Sequence, residues 1–381
     1  MSSTGIPAHF LLPTSRNLRA VFSGALHCVG LPSISERSSA EDADELGLNS
    51  CERVCVVLVD GMGVANLTPR LGHAPTLRSW THCEPLTSVA PSTTATAITA
   101  LGTGYRAGRT SMLSYALRSP STGENFSLIK WEDPSLDPRQ WQRSPTIFEV
   151  LEDGAEECLL VQPQSYIGSG LSICALRGVE AAAADTPQER IEVAARALRA
   201  GKRFVYLYWG ELDRTGHAQG WQSEAWVQAL EEFDVSLRQL ARRLPSGTRL
   251  LVTADHGMID VSERLIIEDN LQLASGVDLI SGEERFLHLY THEVEAVAER
   301  WREEVGESAW ILTKEEACAT GIFGEVSLQS RERMGDVLVI LSGHLAIASA
   351  RNLAQRHNVM VGVHGSFTPE EMEIPWIIED V

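Results

Sequence analysis

Three short apolar runs, each broken off by acids, histidine or glycine, constrain the fold of this chain more than any other feature. They are RVCVVLVDGMG at 53–63, KRFVYLYWGELD at 202–213 and TRLLVTADHGM at 248–258. Near-continuous apolar strands of this kind belong to sheets covered on both faces, which are mostly parallel. Between them lie TPQERIEVAARALRAG (186–201) and WVQALEEFDVSLRQLARRL (226–244), whose apolar residues recur at helical spacing. The expected fold class is therefore α/β, with a mainly parallel central sheet flanked by helices on both faces. At 381 residues and 44% hydrophobic content, the chain is long and apolar enough to bury such a core.

One region departs from this rhythm. RFLHLYTH (285–292), the helix VEAVAERWREEVG (294–306), SAWILTKEEACATG (308–321) and GDVLVILS (335–342) read as a small α+β insertion over 264–345. The core is then expected over 1–263 and 346–381, resuming at NVMVGVHGS (358–366).

Charge narrows the partners. A formal net charge of -19 repels a phosphate backbone, which argues against nucleic-acid polymers and anionic membranes. A small phosphate-bearing ligand stays compatible if bound metal ions supply positive charge locally. The seven cysteines are scattered, odd in number and without CxxC spacing, so they suit buried small hydrophobes rather than a disulfide framework or a thiolate zinc site. The N-terminal stretch MSSTGIPAHFLLPTSRNLRAVF lacks a basic segment followed by an unbroken apolar one, and the expected location is the cytoplasm.

Parallel sheets bind ligands at the carboxyl ends of their strands. Asp60, Asp255 and His256 end such runs, Asp213 and His217 follow another, and His364 follows VMVGV. Taken singly, an Asp there is often a helix N-cap and a His a structural hydrogen-bonder. Their coincidence at four strand ends points instead to metal ligation. Carboxylates and imidazoles without thiolate suit zinc first and manganese second. Six ligands exceed one tetrahedral ion but suit a pair about 4 Å apart, the arrangement that clamps attacking and leaving oxygens of a phosphoryl centre. The hydroxyl-rich segment SVAPSTTATAITALGTG (88–104) reads as a turn leading into a helix near Thr94.

Taken together these motifs resemble the type I phosphodiesterase/nucleotide pyrophosphatase branch of the alkaline phosphatase superfamily. DGMG (60–63), APSTTATA (90–97), ELDRTGHAQG (211–220), TADHGM (253–258) and GVHGS (362–366) occur in that family's order. The resemblance implies an alkaline-phosphatase-like fold and two divalent ions. One would be held by Asp213, His217 and His364, the other by Asp60, Asp255, His256 and the nucleophile oxygen. The proline spacing implies Thr94 as nucleophile, with Thr93 the next candidate. The implied activity is hydrolysis of phosphodiester or pyrophosphate bonds in a small phosphate ester, nucleotides included, through a covalent phosphothreonine. The alternatives are a phosphomonoesterase, a phosphonate hydrolase of the same superfamily, or a metal-binding regulator without turnover. The segment GRTSMLSYAL (108–117) lacks the His or Asn that many relatives use on the phosphoryl oxygens, leaving Ser111, Tyr115 or a backbone amide as substitutes. Arg106 and Arg109 read as surface residues rather than a phosphate clamp.

Overall fold

A computed structural model describes residues 5–33, 35–354 and 359–381. The apolar runs form strands whose residues are almost all buried: β1 (Arg53–Val59), β5 (Phe204–Trp209) and β6 (Thr248–Thr253). With β2 (Thr81–His82), β3 (Cys158–Gln162), β4 (Ala181–Ala183) and β11 (Ile377–Asp380) they build a seven-stranded sheet of order β2-β11-β6-β1-β5-β3-β4. The run from β6 to β4 is parallel throughout, and β11 is antiparallel to β6.

Helices cover both faces, and the alternation of side chains along β5 shows how. Phe204 and Tyr206 pack on Phe22 of helix α1 (Ala20–Cys28), with ring centroids 5.1 Å apart in each case. Trp209, of opposite parity, packs 5.2 Å from Phe233 of a second helix, and so points to the other face. On the α1 side lie α2 (Thr94–Thr103) and, packed on it, α3 (Gly170–Leu176). On the far side lie α4 (Pro187–Arg199), opened by a capping box between Thr186 and Glu189, and α6 (Glu224–Arg243), which carries Phe233. Between β5 and α6 sits α5 (Glu211–Gln219).

Residues 279–341 hold a separate four-stranded antiparallel sheet of β7 (Leu279–Glu283), β8 (Phe286–Tyr290), β9 (Ala309–Thr313) and β10 (Val337–Leu341), in the order β7-β8-β10-β9. Leu287, Leu289, Val337 and Val339 share one apolar cluster with Trp301 of α7 (Val294–Val305). The alternate residues Phe286, Leu338 and Ile340 share another with Met112, Leu113, Phe126 and Trp141, which come from outside the inserted region.

The segment expected to resume the core, 358–366, does so beside the central sheet and not as a strand of it. Asn358 lies outside the described residues, and Gly362–Val363 pairs with Ile259–Asp260 instead of joining the central sheet. The reason is close packing: a Cβ on Gly362 would lie 2.4 Å from Met258 Sδ and 2.6 Å from the Gly216 carbonyl. That seat carries the segment across the strand ends, and the strand that rejoins the sheet is β11. All seven cysteines are free, and Cys28, Cys55, Cys158 and Cys174 are buried. No described helix is long and apolar enough to cross a membrane.

The seat of α2 on α3 yields a test. A Cβ on Gly102 would fall 2.0 Å from the Ala175 carbonyl oxygen, whereas nothing lies within 4 Å of a Cβ on Gly72. Overpacking against rigid backbone costs on the order of 2 kcal/mol or more. Urea unfolding is expected to show that loss for Gly102→Ala and a change within about 0.5 kcal/mol for Gly72→Ala.

Candidate metal centre

The carboxyl ends of three adjacent strands place the acids. The Asp60 amide donates to the Trp209 carbonyl at 2.8 Å, which extends the β1–β5 ladder to the residue that carries the carboxylate. The turns after β1 and β6 then pack backbone against backbone. A Cβ on Gly63 would sit 2.5 Å from Gly257 Cα, and one on Gly257 would sit 2.0 Å from the Glu370 carbonyl, so both positions need glycine. Asn66 clips the turns together, its amide donating to the Met258 carbonyl at 2.9 Å and its Oδ1 accepting from the Met258 amide at 3.1 Å. The two glycine motifs are thus halves of one structure. On α5, Asp213 and His217 project from one face, with His217 Nε2 3.3 Å from Asp213 Oδ1.

All six expected ligands meet at this point. Donor atoms of Asp60, Asp255 and His256 lie within 4.8 Å of one another, and so do those of Asp213, His256 and His364. His256 belongs to both triads. His217 lies outside them and joins through Asp213. His256 Nε2 is 3.4 Å from Asp60 Oδ1 and 3.3 Å from Asp255 Oδ2, and His364 Nε2 is 3.7 Å from Asp213 Oδ1. The His256 and His364 rings stack at 3.5 Å.

The hydrogen bonds settle which atoms point inward. Nδ1 of His217, His256 and His364 faces the carbonyls of Gly362 (2.7 Å), Gly257 (3.1 Å) and Ser92 (2.9 Å). A nitrogen that faces a carbonyl carries the proton, so in each neutral ring Nε2 is a lone pair. The carboxylates are oriented in the same way. The Tyr208 hydroxyl donates to Asp60 Oδ2. Asp255 Oδ1 accepts from the amides of Gly61 (3.2 Å) and His256 (3.1 Å). Three other oxygens, Asp60 Oδ1, Asp255 Oδ2 and Asp213 Oδ1, are buried without a hydrogen-bond partner.

Lone pairs therefore face lone pairs. Burial drives the Asp60 carboxyl well above its usual range, with the charges of Asp255 and Asp213 adding to it, and burial likewise raises Asp255 and Asp213. Burial also lowers His256, and it drives His364 well down, with the neighbouring imidazoles adding to the effect. Protonated imidazoles are thus disfavoured as the source of positive charge. Orphaned carboxylate oxygens and inward Nε2 atoms without a thiolate are the donor set of divalent cations, and they fit a pair of them.

Thr94 opens α2 beside this cluster, with Oγ1 3.1 Å from His256 Nε2. Thr93 is the N-cap residue, and its buried Oγ1 has no hydrogen-bond partner. Both line a cavity of about 740 Å³, together with Asp60, Asp213, His217, His364 and Tyr115. Ser111 does not line it: its hydroxyl is bound to Ser330 at 2.8 Å and is buried against the inserted region. Arg106 pairs with Glu36, and Arg109 stacks on Tyr105, so neither reaches the cavity. Tyr208, Asn66 and Ser92 support the cluster but were missed in the sequence. For Tyr208 the signal is its parity with Tyr206 in FVYLYW, which puts both rings on one face near a strand end.

A carboxyl whose folded pKa is raised contributes stability that is present below its unfolded pKa and lost as pH rises through the folded value. Without cations, the Asp255 carboxylate therefore weakens the fold at neutral and higher pH. In chelator at pH 8, Asp255→Asn is expected to be about 1–2 kcal/mol more stable than wild type, with the gain fading toward pH 4. Added zinc is expected to reverse the order. Thermal unfolding in both conditions checks this, and a wild type that outlasts the variant in chelator contradicts it.

The model of one family, type I phosphodiesterase / nucleotide pyrophosphatase, matches residues 54–367. No curated protein matches the chain by sequence. Among solved structures, murine ectonucleotide pyrophosphatase / phosphodiesterase 5 aligns with TM-score 0.67 at 18% identity, covering 86% of this chain and 88% of that one. An inactive variant of the murine protein in complex with AMP aligns with TM-score 0.63 at 17% identity, over 86% and 87% of the two chains. Phosphonoacetate hydrolase from Sinorhizobium meliloti 1021, in complex with phosphonoformate, aligns with TM-score 0.66 at 20% identity, over 86% and 89%. These likenesses establish the alkaline-phosphatase-like fold, and the family match covers all five motifs: the chain belongs to the type I phosphodiesterase / nucleotide pyrophosphatase family.

Proposed function

We propose that this protein is a metal-dependent hydrolase of phosphodiester or pyrophosphate bonds in small phosphate esters, with Thr94 as its nucleophile. The observation that carries the reading is the Thr94 hydroxyl, 3.1 Å from His256 Nε2, at the junction of the cation-binding cluster and the cavity. Asp60, Asp255 and His256 would hold one ion beside Thr94, and Asp213, His217 and His364 the other, with His256 close enough to serve either. Bound divalent ions, zinc first and manganese second, supply Lewis-acid polarisation of the phosphoryl group and lower the pKa of a coordinated hydroxyl.

Thr94 Oγ1 gives up its proton and forms the bond to phosphorus as the bond to the leaving oxygen breaks, giving a phosphothreonine and a leaving group that takes up a proton from solvent. Water then cleaves the Thr94 Oγ1–phosphorus bond and restores the hydroxyl. The first backbone bond of α2 runs from the Ala97 amide to the Thr93 carbonyl, so the amides of Thr94, Ala95 and Thr96 are free of helix partners. They would donate to the phosphoryl oxygens, the role that Ser111 does not fill. Tyr115, Tyr166, Ile129 and Leu171 give the cavity an apolar, aromatic wall suited to a leaving group with a flat or apolar body. The AMP complex of the murine neighbour makes a nucleotide the first candidate.

A second reading, hydrolysis of a phosphonate, draws on the closely similar alignment with phosphonoacetate hydrolase. Purified protein loaded with zinc or manganese and assayed on a chromogenic phosphodiester, the matching monoester and phosphonoacetate separates the readings. The diester is expected to turn over fastest. Thr94→Ala is expected to lose about 10³-fold or more while keeping its bound metal. Diester turnover that survives Thr94→Ala contradicts the nucleophile assignment, and a phosphonate preference promotes the second reading.

A further inference from the structure

The inserted sheet reaches the metal cluster through one buried ion pair. Arg285 lies between β7 and β8, and Glu371 lies just beyond His364 in the chain. Both side chains are 0% exposed, with Nη2–Oε2 at 2.7 Å and Nε–Oε1 at 3.2 Å. The guanidinium is anchored in the insertion by Nη1, which donates to the carbonyls of Ser342 (3.2 Å) and Leu345.

Glu371 touches both ligand-bearing turns. Its backbone carbonyl accepts from the Gly257 amide at 2.8 Å, and the Gly257 carbonyl in turn receives His256 Nδ1 at 3.1 Å. Its carboxylate accepts from the Ser366 amide at 2.9 Å and the Thr368 hydroxyl at 2.7 Å. The Ser366 carbonyl accepts from Ser92 Oγ at 2.6 Å, and the Ser92 carbonyl holds His364 Nδ1 at 2.9 Å. Ser366 Oγ reaches back to the Leu341 carbonyl at the end of β10. A continuous set of hydrogen bonds thus runs from the insertion to the two stacked imidazoles.

We propose that Arg285 and Glu371 are positioning residues that fix His256 and His364 for cation binding, so that the insertion is part of the scaffold of the metal centre as well as a wall of the cavity. The proposal rests on the metal reading above. A buried ion pair is weak as a source of stability, because desolvation offsets much of its attraction and apolar replacements are often neutral. The value of this one lies in the geometry it imposes on groups that orient ligands, a role worth about 10- to 100-fold in metal affinity elsewhere.

The test is zinc affinity, measured by competition with a chromogenic chelator on metal-free wild type, Arg285→Met, Glu371→Gln and Arg285→Lys. Thermal unfolding of the same metal-free samples records stability separately. Zinc affinity is expected to fall about tenfold or more in Arg285→Met and Glu371→Gln, and by a smaller factor in Arg285→Lys, which keeps the charge but loses the fork. Wild-type affinity in a folded Met or Gln variant overturns the proposal, even if its unfolding temperature drops. If neither folds, Arg285→Lys decides: weakened binding supports the proposal and unchanged binding overturns it. A wild type that takes up no zinc contradicts the metal reading itself and removes this proposal with it.

Discussion

Three carboxylates gathered with three inward-facing imidazole lone pairs are the condition on which the rest of the structure depends. Asp60 and Asp255 offer oxygens within 4.8 Å of each other, and at an effective dielectric near 20 two such charges repel by about 3.5 kcal/mol or more. No guanidinium or ammonium of the described residues ion-pairs with any of the three. The protein nevertheless ties five of the six groups in place. One oxygen of Asp60 and one of Asp255 is tied, by Tyr208 and by backbone amides, and each histidine is locked in one tautomer by a carbonyl. Such preorganised repulsion is what bound divalent cations would offset, and the surrounding fold sustains its cost.

The fold sustains it by bringing rigid elements to the same place. Parallel register aligns the ends of β1, β5 and β6, so acids far apart in the chain become neighbours. Glycine-to-glycine contact at Gly63 and Gly257 presses two turns together more closely than side chains would permit. The segment around His364 lies outside the central sheet, pairs with Ile259–Asp260, and is held by Glu371 and Ser92. The nucleophile candidate stands on the first turn of a helix, with its hydroxyl 3.1 Å from His256 Nε2.

Much of this was legible in the sequence because the chemistry is carried locally. A metal ligand at a strand end needs an acid or histidine after an apolar run and a glycine that lets the chain turn, and both are adjacent in DGMG and DHGM. The helix beginning near Thr94 was readable from its small apolar face. What escaped are relations across long stretches of chain. Tyr208 acts on an acid 148 residues away, Asn66 on a turn 192 residues away, and Ser92 on a histidine 272 residues away. The short strands Cys158–Gln162 and Ala181–Ala183 carry no terminal signal, and Ile377–Asp380 looks too polar for a sheet because it pairs on one side with only the two-residue strand Thr81–His82. Ser111 stood as a substitute because GRTSMLSYAL lacks His and Asn, yet its hydroxyl is taken by Ser330 of the insertion.

On this reading the cluster binds two divalent cations. Metal analysis of protein purified without chelator, combined with anomalous diffraction at the zinc edge from the same preparation, tests it most directly. About two ions per chain are expected, one among Asp60, Asp255 and His256 and one among Asp213, His217 and His364. Fewer than one ion per chain after loading with zinc or manganese, or ions bound elsewhere with these six side chains left unligated, would contradict it.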